Sequence, residues 1–136
     1  MIWKIANIDN KLFKDFYNYI EACEYIILDI ENTKYKENNC HNNVNKFINE
    51  KGNKYGKILG YYVLMSKNND EILAIQHSVN INLETEEIFD ITPCSIYNKR
   101  LFIYGYKMKE YASIQYTDNK INTIKTEVNN IDGYFL

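Results

Sequence analysis

The chain has 136 residues, a net charge of −2 and a pI of about 5.7, and is 46% hydrophobic and 15% aromatic. That is enough apolar material for one domain over residues 1–136 with a packed core. No basic block supports a nucleic-acid groove, no apolar run approaches a membrane span, and no charged-then-apolar leader opens the chain, so a cytoplasmic protein without nucleic-acid or membrane partners is expected.

Met1 to Ile5 reads as a short strand. Asp9-Asn10 can cap a helix from Lys11 to Cys23, with Leu12, Phe13, Phe16, Tyr17 and Ile20 at helical spacing. The run Tyr25 to Leu28 continues that helix or forms a strand, and Asn32 to Asn39 is a polar surface loop. A second helix starts at Cys40. Its apolar face is Cys40, Val44, Phe47 and Ile48, Asn38 or Asn39 is placed as N-cap, and Gly52-Asn53 ends it.

From there the pattern is of strands. Lys57 to Met65 and Ile72 to Leu83 flank a turn at Lys67 to Asp70. In the second of them Leu73, Ile75, His77, Val79, Ile81 and Leu83 share one face. A two-residue turn at Glu84-Thr85 leads to Ile88–Thr92, followed by Leu101–Tyr106. Lys109–Tyr116 and Ile121–Val128 can pair around residues 117–120. The fold class is α+β, with N-terminal helices packed on an antiparallel meander.

Cys40, His77 and Asp90 carry the chemistry. An imidazole on an apolar strand face needs a hydrogen-bond partner. With a two-residue turn Val79 faces Asp90, and Asp90 becomes the diagonal neighbour of His77 on the same face. A three-residue turn would send Asp90 to the other face. A cysteine at a helix N-terminus is favoured as thiolate, and the free N–H groups there can hold an oxyanion. A histidine beside it moves the proton, and a carboxylate orients the histidine. The bland alternative is a small buried Cys and a satisfied core His.

The segments around Cys40, His77-Ser78-Val79 and Asp90-Ile91-Thr92-Pro93 resemble the motifs of transglutaminase-like domains and papain-like cell-wall endopeptidases. The resemblance spans roughly residues 38–93. It implies a minimal papain-like thiol fold with Cys40 as nucleophile, His77 as base and Asp90 as its orienter. This chain has Asn39-Cys40-His41 where Gly-x-Cys or Asp-Cys-Ser is usual, and Val79 where an aromatic residue commonly follows the histidine.

Asn39, Asn43 and Tyr61 are candidates for substrate contact, and Tyr62 for a cleft wall. His41 points about 100° round the helix from Cys40 and reads as a solvated helix-start residue. A zinc site from Cys40, His41, His77 and Cys94 lacks the usual ligand spacing; no metal or cofactor is expected. Three irregularly spaced cysteines (Cys23, Cys40, Cys94) argue against a disulfide framework. The expected function is a thiol hydrolase or acyltransferase acting on a peptide, a protein or a small amide or thioester. The rival is a non-enzymatic phage or bacterial accessory protein that binds through its Tyr-rich strands.

Overall fold

The computed structural model describes residues 3–105, 113–117 and 120–124. The parts of the expected strands at residues 1–2, 106–112 and 125–128 lie outside the described residues.

β1 (Trp3–Ile5) precedes the first helix, α1 (Lys11–Tyr19). The Asn10 side chain caps α1 by accepting from the Leu12 amide at 2.8 Å. The helix stops short of Cys23. Glu21 adopts a left-handed φ of 55°. The amides of Glu21 and Ala22 then bond back to the carbonyls of Asn18 and Tyr17 at 3.1 Å, a Schellman closure that releases the chain into β2 (Glu24–Asp29). The Tyr25–Leu28 run is therefore a strand.

α2 (Cys40–Lys51) follows the polar loop and ends at Gly52, whose φ of 104° suits only glycine. The helices are thus not a block ahead of the sheet, because β1 precedes α1 and β2 separates α1 from α2.

The long hairpin β3 (Tyr55–Ser66) and β4 (Ile72–Asn82) is the centre of the sheet. Its turn closes where Asn69, at a φ of 61°, donates to the Ser66 carbonyl at 2.9 Å. β5 (Ile88–Phe89), β6 (Lys99–Tyr104), β7 (Ser113–Thr117) and β8 (Lys120–Ile124) complete the described strands. The order is β2-β6-β3-β4-β7-β8, with β1 also on β3 and β5 also on β4. It is not a meander: β6 leaves β5 and inserts between β2 and β3.

The sheet also curls, as the right-handed twist of strands favours. A parallel bridge joins Ile30, after β2, to Asp90, after β5, and closes a ring of β2, β6, β3, β4 and β5. Residues of one parity point into the ring and residues of the other point outward.

The outward face of β3 and β4 meets α1. Phe13 and Phe16 pack there on Tyr61, Val63, Met65, Ala74 and Ile103. The inward face holds Leu28, Val79 and Phe102, continued by Trp3, Tyr62, Leu64, Leu73 and Ile75. Each fully buried side chain of this size is worth roughly 1.5–3 kcal/mol. Gly60, opposite His77 in the hairpin, admits β6 to this packing. A Cβ there would sit 2.1 Å from the Ile103 carbonyl oxygen and 2.9 Å from the Phe102 ring.

No helix among the described residues is long and apolar enough to cross a membrane.

Candidate active site

The link between β4 and β5 sets the site. Asn80 pairs with Phe89 and Ile81 with Ile88, which is the expected register. The loop is longer than a two-residue turn. The Asn82 amide donates to the Glu87 carbonyl at 2.8 Å, and the Asn82 side chain accepts from the amides of Glu84 and Thr85 at 2.9 and 3.2 Å. Four residues lie between the closing pair, still an even number, so the facing is preserved.

His77 and Asp90 accordingly meet on the inner face, His77 Nε2 to Asp90 Oδ2 at 2.7 Å. Both are almost wholly buried. Aromatic rings bracket the imidazole: Tyr62 and Phe102 stand edge-on with ring centroids at 5.2 and 6.1 Å. With Nε2 committed to Asp90, Nδ1 is left to face the thiol.

Cys40 opens α2 as expected. Asn39 is the N-cap residue by position, but its side-chain oxygen accepts from the Asn42 amide group at 2.9 Å and makes no cap hydrogen bond to the backbone. Cys40 interacts electrostatically with both His77 and His41. His77 points into the ring, whereas His41 Nδ1 bonds the Ser78 hydroxyl on the outward side of β4. Cys40, which both histidines influence, opens α2 beside the edge of β4. There, among the described residues, strand pairing is interrupted between Ala74, which faces β7, and Asn80, which faces β5.

Two buried amides hold α2 in this place. Asn43 Nδ2 donates to the Lys36 carbonyl at 2.8 Å and to Thr92 Oγ1 at 3.1 Å. Asn80 Nδ2 donates to the carbonyls of Val44 at 3.5 Å and Gly56 at 3.3 Å. Thr92 in turn donates its amide to Asp90 Oδ1 at 3.0 Å. A short chain of hydrogen bonds therefore runs from the α2 start to the carboxylate behind His77.

The electrostatics follow from burial and from these partners. Burial pushes the Cys40 thiol up, but the charge of His77 and hydrogen bonds from His41 and His77 outweigh it and bring it to about 5. Burial lowers His77, but the Asp90 carboxylate and the Cys40 thiolate carry it above the ordinary imidazole range, while Arg100 opposes them. The interaction with Cys40 leads in raising His41. Burial raises Asp90, and the charge and bonds of His77, Arg100 and the Thr92 amide take it below the ordinary carboxylate range.

Among the residues proposed for substrate contact, Asn39 is half-buried next to Cys40. Asn43 is buried and its amide holds α2 against the loop after Asp90. Tyr61 is buried on the α1 side of the sheet, away from His77, and its neighbour Tyr62 faces the imidazole.

Two partners went unanticipated. His41 is half-buried and bonded to Ser78 rather than solvated. Arg100 reaches Asp90 Oδ2 at 2.9 Å from β6. Its sequence signal was parity: Arg100, Phe102 and Tyr104 alternate on one face of β6, and Phe102 is deeply apolar. No group of three or more His, Cys, Asp or Glu among the described residues is arranged to hold a metal ion.

No family model matches the chain, and neither a curated protein nor a solved structure matches it.

Proposed function

We propose that this chain is a cysteine-dependent hydrolase or acyltransferase with a minimal papain-like or transglutaminase-like core, acting on an amide, isopeptide or ester bond. The observation that carries the reading is a buried imidazole, His77, fixed by the Asp90 carboxylate at 2.7 Å, with the Cys40 thiol at the start of α2 under its influence.

The Cys40 thiolate attacks the substrate carbonyl carbon, a C–S bond forms, and the carbonyl π electrons move to oxygen. The N–H groups of the first turn of α2, which Cys40 opens, suit that oxyanion. Collapse breaks the bond to the amine or alcohol, which leaves with the proton from His77. Water or an acceptor amine then attacks the thioester and gives a proton to His77. The C–S bond breaks, and the thiolate returns. Asp90 keeps His77 in one tautomer and offsets the imidazolium charge. The substrate is a peptide, a protein or a small amide or thioester, and the setting is cytoplasmic.

The test is steady-state turnover of activated esters and of glutamine-containing and isopeptide-linked peptides. Wild type should turn over at least one class, Cys40→Ala should have none of that activity, and His77→Ala should retain only a trace. Equal rates for wild type and Cys40→Ala would remove the enzymatic reading.

A second reading is favoured by one observation. Cys40 and His77 are each only 2% exposed, which suits a non-enzymatic binding or accessory protein that keeps a buried polar cluster for packing. Under that reading Cys40 stays inert towards every acyl donor.

A further inference from the structure

Arg100 is a buried cation with a fully formed set of partners. It lies on β6 opposite Leu28 and is 6% exposed. One guanidinium nitrogen, Nη1, donates to Asp90 Oδ2 at 2.9 Å and to the Thr92 carbonyl at 2.7 Å. The guanidinium carbon stands 5.2 Å from the Tyr62 ring centroid, the same ring that stands edge-on to His77. Asp90 Oδ2 is therefore shared by two donors, His77 and Arg100, while Oδ1 takes the Thr92 amide.

We propose that Arg100 is a positioning residue of this site: by holding Asp90 from β6 it fixes the carboxylate for His77 and limits how firmly His77 keeps its proton. The inference rests on the thiol-chemistry reading above.

Four structural elements besides β4 supply the groups around His77, the first being β3 with Tyr62. Asp90 and Thr92 come from the segment after β5, Arg100 from β6, and Cys40 with His41 from the start of α2. With Cys40 as thiolate and His77 as imidazolium, Asp90 and Arg100 complete two negative and two positive charges. A balanced set is far cheaper to bury than three charges, because an uncompensated buried ion costs several kcal/mol. A lone carboxylate would favour the imidazolium more strongly and keep the proton on His77 to higher pH. Arg100 draws on the same oxygen and weakens that hold. The bond to the Thr92 carbonyl fixes the guanidinium to the segment that Asn43 ties to α2. Arg100 and Cys40 are thereby registered to the same few residues.

The test is a histidine-ring NMR titration of the full chain, which has two histidines; His77 is the signal that remains in His41→Gln. In Arg100→Met the His77 midpoint should rise by about one pH unit or more, the usual effect of removing a charge at this range. Arg100→Lys, which keeps the charge, should stay near wild type. An unchanged midpoint in folded Arg100→Met, or a rise in Arg100→Lys as large as in Arg100→Met, overturns the proposal. If Arg100→Met does not fold by circular dichroism, the wild type carries the test. Its Arg100 guanidinium N–H signals should shift with the His77 midpoint, and their indifference to that titration overturns the proposal. These readouts do not need turnover. Failure of the enzymatic reading would appear as no acyl transfer with the NMR result intact, and failure of this inference as the reverse.

Discussion

His77→Ala removes the group whose charge does most to lower the Cys40 thiol. The effect is best read at pH 5.5, on a background with Cys23→Ser and Cys94→Ser so that Cys40 is the sole thiol. With Cys40 at about 5, roughly three-quarters of it is thiolate at that pH; at the ordinary 9.0, the reference for a variant in which burial and His41 offset each other, only about 0.03% would be. The thiolate fraction thus falls about 2,400-fold, but the more basic thiolate is intrinsically faster, by about 60-fold at a Brønsted slope near 0.45. The net expectation is about a 40-fold slower reaction with iodoacetamide. Near pH 7 the two factors nearly cancel, so a neutral-pH assay would miss the effect. Burial of Cys40 slows wild type and variant together and leaves the shape of the pH profile unaltered. Wild type should level off above about pH 6, and the variant should climb toward pH 9. A wild-type rate that rises tenfold per pH unit from 5 to 9 would refute the reasoning.

Asp90→Asn keeps the side chain's shape but leaves the buried Arg100 without the carboxylate it pairs with, and should cost about 3–5 kcal/mol in urea unfolding. Gly60→Ala drives a methyl into the Ile103 carbonyl and the Phe102 ring, and a loss of about 1–3 kcal/mol is expected in the same assay. Asn43→Ala strands the Lys36 carbonyl and the Thr92 hydroxyl. It should cost about 1–3 kcal/mol and slow Cys40 alkylation, because the start of α2 is no longer held against the loop after Asp90. For pH, the folded Cys40 value is depressed, so its stabilisation is complete above its ordinary 9.0 and is lost as pH falls through about 5. His77 is raised, so its contribution is complete below 6.5 and is lost only as pH rises through its folded value. Between pH 6.5 and 5 the Cys40 slope therefore stands alone. The stability gap between wild type and Cys40→Ala should shrink by about 1.4 kcal/mol per unit there, as measured by urea unfolding at matched pH.

Local pattern carried much of the fold. The alternation through Ile72–Leu83 gave the inward face of β4, and the even spacing to Ile88 gave the register that sets His77 beside Asp90. The polar-to-apolar change at Asn39-Cys40 marked the start of α2. The insertion of β6 between β2 and β3, and the Ile30–Asp90 closure of the ring, are pairings between distant segments that no local period records. The role of Arg100 depends on such a pairing. Nothing near it in sequence announces a carboxylate, and only the ring brings β6 to Asp90. The helical angle predicts a solvated His41, yet the edge of β4 supplies Ser78 as its partner. The helix reaching for Cys23 stopped early because Glu21 takes a left-handed φ, a conformation for which Glu carries no signal.

The most direct test of acyl transfer by Cys40 is acid-quenched intact mass and peptide mapping after brief mixing with an activated ester. A single acyl group on the Cys40 sulfur, lost with time in wild type and absent from Cys40→Ala, is the predicted result. An unmodified Cys40 across a panel of ester and thioester donors, at a pH where the thiolate is populated, would contradict it.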